Sequence, residues 1–110
     1  MKNVDLIIIG GGPAGYETAL LAAKNGLQTV LIESKKLGGT CLNEGCIPTK
    51  CLCRSAEIKR LLGSHNTLNN FGIEDISYSF NINNAIQRKN QVVDTLNGGI
   101  KAMLKAVGVE

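Results

Sequence analysis

A glycine-rich turn between two short apolar runs constrains this chain more than any other feature. Residues 4–9 (VDLIII) are short, rich in β-branched side chains and ended by Gly10, the pattern of a fully buried parallel strand. Residues 13–24 predict a helix. Pro13 suits a first helical turn, Ala19, Leu20, Ala22 and Ala23 offer small packing surfaces, and Asn25-Gly26 is a stop signal. Residues 28–32 (QTVLI) repeat the buried-strand pattern. Two such strands joined by one helix form a right-handed βαβ unit.

Between the first strand and the helix, Gly10-Gly11-Gly12-Pro13-Ala14-Gly15 satisfies G-x-G-x-x-G. Gly10 would permit the tight turn, Gly12 would let a pyrophosphate approach the backbone, and Gly15 would allow close helix–strand packing. The helix N-terminus offers N–H groups to the same anion. Glu33 ends the second strand, where a carboxylate can accept hydrogen bonds from an adenosine ribose. Alone the glycine pattern is weak. Set between strand and helix and followed by Glu33, it points to a dinucleotide rather than to packing alone. A carboxylate there argues against a 2′-phosphate and does not separate FAD from NAD.

Composition narrows the remaining classes. The chain has 110 residues, enough for one small domain. No Trp is present, so Ile, Leu, Val and Ala must build the core. The net charge is +3, but the Lys and Arg residues are scattered and only Lys35-Lys36 cluster, which suits a solvated face and no nucleic-acid surface. The apolar run at residues 6–9 is far shorter than a signal-peptide core or a membrane span, and residues 1–5 lead straight into it. The expectation is a cytoplasmic protein without membrane contact. In that reducing compartment four Cys are redox groups, metal ligands or buried apolar residues before they are structural disulfides.

The cysteines decide among these. In residues 38–50 (GGTCLNEGCIPTK), Cys41 and Cys46 lie five positions apart, and Cys46 opens a second helix predicted to run to about residue 62. A helix N-terminus favours a thiolate, so Cys46 is expected to be reactive. A bridge between the two would close a ring of about six residues and stabilise by only about 2 kcal/mol. Thiol–disulfide exchange explains such a pair better than a staple does. The four cysteines are separated by four, four and one residues, which matches no paired zinc knuckle, and His65 falls in a polar stretch; no metal site is expected. Cys51 and Cys53 read as buried small apolar residues.

Elsewhere, residues 34–45 and 63–78 read as loops. From Ile82 onward, Ala85, Ile86, Val92, Val93, Leu96, Ile100, Met103, Leu104 and Val107 are spaced for one face of a long helix, with Gly98-Gly99 a weak point.

At this point the chain resembles the flavin-dependent pyridine nucleotide-disulfide oxidoreductases. The order of strand, glycine turn, helix, strand, Glu and then GGTC-x4-C-x-P-x-K carries the resemblance. Leu42-Asn43, Ile47-Pro48 and Thr49-Lys50 are most similar to the dihydrolipoamide dehydrogenase branch; glutathione and mercuric reductases tend to carry Val at positions 42 and 47. The resemblance implies an α/β, Rossmann-like FAD-binding domain with an incomplete parallel sheet, its βαβ unit followed by the redox-cysteine helix and a long helix. It implies that Gly10, Gly12 and Gly15 approach the FAD pyrophosphate, Glu33 binds the ribose, and Gly39 and Thr40 line the nucleotide. Cys41 would be the interchange thiol, Cys46 the flavin-proximal thiol, and Lys50 a neighbour of the flavin ring. The reaction implied is oxidation of dihydrolipoamide with reduction of NAD. The substrate would sit on a lipoyl-bearing carrier protein of a 2-oxo acid dehydrogenase or glycine cleavage complex. The chain departs from the family pattern at Glu44, commonly Val, and at Cys51 and Cys53, commonly Ala and Leu; Glu44 is expected to oppose thiolate formation somewhat.

Residues 1–110 then correspond to the first part of the FAD-binding domain, without the NAD-binding and dimerisation domains of a homodimeric enzyme. Two strands are fewer than a doubly wound sheet needs, their edges would be exposed, and Val109-Glu110 follows a helix with no evident cap. The expectation is a portion inactive by itself. The rival from another class is a non-catalytic nucleotide-binding module.

Overall fold

The two apolar runs pair as expected. The computed structural model describes residues 3–110; Met1 and Lys2, which belonged to the reading of the amino terminus, lie outside them. Strands β1 (Leu6–Ile9) and β2 (Thr29–Ile32) are parallel, with Leu6 opposite Thr29 and Ile9 opposite Ile32, and helix α1 (Pro13–Lys24) connects them. Each strand is shorter than its apolar run. At the start of the pair the Asp5 carboxylate accepts from the Gln28 N–H at 2.8 Å, so a side chain stands where a ladder bond would begin.

The strands are not buried on both faces. Along β1 the side chains alternate between half-buried and exposed, and Ile7, Ile9 and Ile32 are 56%, 85% and 51% exposed. The covered face is packed by α1 and by α5 (Ile82–Ala106). Ala19, Leu20, Ile100 and Leu104 form the buried centre, with Ile8, Tyr16, Leu31, Val107 and Val109 against it. Burying a Leu or Ile side chain is worth about 1.5–3 kcal/mol, so Ile100 and Leu104 anchor the long helix to the sheet. A run with apolar residues at every position cannot reveal which face a neighbour covers.

Three further helices lie between β2 and α5: α2 (Gly39–Asn43), α3 (Cys46–Leu62) and α4 (His65–Asn70). Two stretches expected as loops therefore contain a short helix each. In α2 the Gly38-Gly39 pair hides a single turn, and α4 (HNTLNN) carries poor helix formers. The end of α3 lines a groove with the start of α5, and Asn43, just before α3, bonds Asn97 late in α5; the two helices are antiparallel. At about 1.5 Å per residue α5 is about 37 Å long, and this arm stretches the molecule to 69 × 24 × 18 Å. Helix α5 passes through Gly98 and Gly99 without a break.

The carboxyl end corrects another expectation, because α5 is capped. Gly108, at φ 79°, donates to the Lys105 carbonyl, and Val109 donates to the Leu104 carbonyl at 3.0 Å. This is a Schellman ending, with the left-handed residue supplied by glycine. Glu110 then lies along the outer edge of β2. Its N–H donates to the Thr29 carbonyl and its carbonyl accepts from the Leu31 N–H at 2.7 Å, the pattern of a parallel neighbour.

Candidate active site

Gly11 is the hub of the site although the glycine pattern assigns it no role. Its N–H donates to Glu33 Oε2 at 2.7 Å and its carbonyl accepts from the Gly38 N–H at 2.7 Å. One residue therefore fastens the turn to the end of β2 and to the segment that leads into the cysteines. The other Glu33 oxygen accepts from the Lys35 N–H at 2.8 Å. These backbone donors, Gly11 first and Lys35 second, hold the Glu33 carboxyl below its ordinary value.

The expected glycines have separate steric roles. Gly10 sits at φ 104°, a conformation that side-chain-bearing residues rarely adopt. A Cβ on Gly15 would lie 1.8 Å from the Gly10 carbonyl oxygen, so the first turn of α1 touches the end of β1 backbone to backbone. A Cβ on Gly12 would meet only the Gly39 Cα, at 3.8 Å, whereas one on Gly39 would lie 3.0 Å from the Gly12 Cα. The glycine turn and the cysteine segment thus approach through two residues without side chains. Above Gly12, helix geometry leaves the Ala14 and Gly15 N–H groups without intrahelical acceptors, a positive end suited to an anion.

Cys41 lies within α2 and Cys46 begins α3, and the two form a disulfide with Cα atoms 4.7 Å apart. Gly45 is the N-cap of α3. A Cβ there would lie 3.2 Å from the Thr40 carbonyl oxygen and 3.3 Å from the Cys41 Cα, so glycine lets the six-residue ring close. Both cysteines are exposed, as is Lys50, one turn further along α3 on the side of Cys46. Cys51 is buried but Cys53 is exposed, which corrects the expectation that both pack inward. His65 is exposed on α4. Among the described residues no three His, Cys, Asp or Glu side chains gather as a metal site, and no helix is long and apolar enough to cross a membrane.

Glu33, Gly39 and Thr40 share an open groove of about 400 Å³ with Lys35, Lys36, Asn43 and Glu44. Glu44 also lines a neighbouring groove with Lys36, Lys89 and Asp94. The remaining expected residues, Gly10, Gly12, Gly15, Cys41, Cys46 and Lys50, lie outside that first groove. Sequence reasoning missed Asn43 and Asn97. The Asn43 amide donates to the Leu37 and Gly39 carbonyls, both at 2.9 Å, and its oxygen accepts from Asn97 Nδ2 at 2.8 Å. The two residues are 54 positions apart, and no spacing signal connects them.

Known proteins give this geometry a context. The family described as pyridine nucleotide-disulphide oxidoreductase matches residues 4–110. A dihydrolipoyl dehydrogenase of Bacillus subtilis is 46% identical over 101 residues, covering 92% of this chain and 21% of the relative. One from Pseudomonas aeruginosa is 42% identical over 108 residues, covering 98% and 23%. Among solved structures, the Cu(II) complex of the HOCl-induced flavoprotein disulfide reductase RclA from Escherichia coli superimposes with a TM-score of 0.69 at 33% identity. It covers 96% of this chain and 21% of that one. The chain thus spans about a fifth of the length of the curated relatives it matches. With the family's description matching all but the first three residues and the fold shared with a flavoprotein disulfide reductase, this chain belongs to the pyridine nucleotide-disulphide oxidoreductase family.

Proposed function

We propose that this chain is the opening part of an FAD-binding domain in a dihydrolipoamide dehydrogenase. The enzyme oxidises the dihydrolipoamide of a carrier protein and reduces NAD, as a cytoplasmic homodimer serving a 2-oxo acid dehydrogenase or glycine cleavage complex. The observation that carries the reading is the Cys41–Cys46 disulfide at the start of α3, one glycine contact away from the nucleotide turn. The similarity to dihydrolipoyl dehydrogenases over nearly the whole chain supports the substrate.

The residues present fit FAD. Gly12 leaves its face open beside the amino end of α1, so the pyrophosphate would rest on the Ala14 and Gly15 N–H groups. Each Glu33 oxygen spends one lone pair on a backbone donor and keeps another for a ribose hydroxyl. Gly39 and Thr40 would line the nucleotide. When bound, the flavin supplies two-electron transfer between the dithiol and the nicotinamide.

The cysteines carry out the exchange. A substrate thiolate attacks the Cys41 sulfur, the Cys41–Cys46 bond breaks, and Cys46 leaves as a thiolate held by the helix terminus. The second substrate sulfur, losing its proton to a base, attacks the mixed disulfide and expels Cys41. The substrate is then a disulfide and the pair has gained two electrons. The positive Lys50 side chain, one turn from Cys46, would favour negative charge on the reduced ring. The base comes from outside these residues, which makes the 110-residue portion inactive alone.

The test uses the enzyme that contains this chain, loaded with FAD. Before reduction an alkylating agent should leave Cys41 and Cys46 untouched; after one equivalent of dihydrolipoamide both should be labelled, and a parallel unlabelled sample should reduce NAD. Labels absent from both after dihydrolipoamide would defeat the reading. The likeness to a flavoprotein disulfide reductase favours one alternative, a different branch of the family. Turnover with glutathione disulfide or mercuric ion and NADPH in place of dihydrolipoamide and NAD would establish it.

A further inference from the structure

We propose that Asn43 and Asn97 are positioning residues that clamp the disulfide ring to helix α5 and set its tendency to be reduced. The proposal rests on the reading of Cys41–Cys46 as an exchanging pair. Asn43 lies inside the ring, between the two sulfurs in sequence, and its half-buried side chain makes three hydrogen bonds. Its amide nitrogen donates to the Leu37 and Gly39 carbonyls, which fixes the segment entering α2. Its oxygen accepts from Asn97 Nδ2, and the same nitrogen of Asn97 donates to the Val93 carbonyl at 3.3 Å. Exchanging oxygen and nitrogen on Asn43 would set an acceptor against two carbonyls and a donor against a donor, so the network admits one orientation.

This amide pair is a buried-edge link from α5 to the ring. Asp94, one turn before Asn97, reaches Lys36 at 3.9 Å, but both side chains are largely exposed and such a pair contributes little. Helix α5 is in turn anchored to the sheet by Ile100 and Leu104. One path from sheet to disulfide therefore runs through Asn97, beside the Gly38–Gly11 backbone bond and the packing of Leu42 on the same core.

A pinned ring keeps Cys41 and Cys46 close after reduction. Their effective concentration stays high and the disulfide is favoured; a loosened ring favours the dithiol. The balanced reaction that reads this is disulfide plus two glutathione thiols giving dithiol plus glutathione disulfide. A neutral hydrogen bond is worth about 0.5–1.5 kcal/mol, so losing the Asn97–Asn43 bond should shift that equilibrium about 2- to 13-fold toward the dithiol.

The experiment measures the glutathione equilibrium of the FAD-loaded enzyme for wild type, Asn97→Ala, Asn43→Ala and the double variant, with Val93→Ala as control. Val93 is buried on the same helix and one turn away, so its truncation loosens packing without touching the ring's bonds directly. The expected result is a shift for each Asn variant, a double variant no worse than the stronger single one, and Val93→Ala near wild type. Asn97→Asp guards against a misfolded alanine variant, since it keeps the size but sets a carboxylate oxygen against the Asn43 oxygen; it should shift the equilibrium at least as far. Wild-type equilibria in both Asn97 variants, or an equal shift in Val93→Ala, would overturn the clamp. The glutathione reading stands whether or not dihydrolipoamide reduces the pair, so failure of the substrate assignment remains separate from failure of the clamp.

Discussion

Gly15 and Gly98 both lie in helices, yet a methyl group added to each would meet opposite surroundings. On Gly15 it would lie 1.8 Å from a backbone oxygen, and on Gly98 it would meet nothing within 4 Å. The first belongs to the head, where strand ends, helix starts and the cysteine segment converge. The second belongs to the arm, helix α5, on an exposed face just before the Ile100 that anchors it to the sheet. The head is built from close backbone approaches, at Gly15 on Gly10, Gly39 on Gly12 and Gly45 on Cys41. The arm is held by side-chain packing on one helix face, with Ala85, Val93, Ile100 and Leu104 turned inward. Backbone cannot yield as a side chain can, so the two regions should respond differently to the same chemical change.

Gly15→Ala should have the largest effect. The clash is with the oxygen of a neighbouring peptide, so β1 and α1 must separate, at a cost of about 3 kcal/mol, the upper end for overpacking. Urea unfolding and flavin-fluorescence titration should both register the loss. A variant with wild-type stability would break the idea that the head is set by backbone contact.

Cys46→Ser comes next and divides the cysteines by region. Loss of the ring should lower stability by about 2 kcal/mol and abolish exchange with a dithiol. Cys53→Ser, at an exposed position on α3 away from the ring, should change stability by less than about 0.5 kcal/mol and leave exchange intact. Unfolding midpoints and thiol-labelling rates check both halves of the prediction.

The same division explains what could be read in the sequence. Helix α1 has the expected bounds because Pro13 and Asn25-Gly26 mark both of its ends, and α3 begins at Cys46 with Pro48 tolerated in its first turn. The Cys41–Cys46 pair was legible from its position at a helix start. Helices α2 and α4 were not: five and six residues show no periodicity, and local signals in them favour turns. The half-exposed sheet was hidden because LIII is apolar at every position. Gly11, Asn43 and Asn97 escaped because their roles come from hydrogen bonds between segments distant in sequence, up to 54 positions apart.

A smaller, pH-dependent effect sharpens the account of the turn. The Gly11 and Lys35 N–H groups favour the charged form of Glu33, so its carboxyl titrates below the ordinary 4.5 in the folded chain. A depressed carboxyl contributes stability that is present above the unfolded value and lost as pH falls through the folded one. Acidification below about pH 4.5 should therefore loosen the turn. Glu33→Gln should remove that component, because a neutral amide gains no such charge and directs one N–H₂ group at a backbone donor. Amide exchange at Gly11 followed against pH would show it. Equal pH dependence in the two proteins would mean that the carboxylate does not hold the turn.

Gly98→Ala should have the smallest effect and the opposite sign. The position is inside α5, exposed, and without a neighbour for the new methyl group. Alanine removes unfolded-state freedom and improves helix propensity, so the variant should be more stable by about 0.5–1 kcal/mol. A higher urea midpoint at unchanged slope is the measurement. Set beside Gly15→Ala, it makes one substitution destabilise the head and stabilise the arm. A loss of stability at Gly98 instead would mean that another surface approaches this face of α5 in solution. The open glycines of the arm would then be close-approach sites like those of the head, and the contrast between the two regions would disappear.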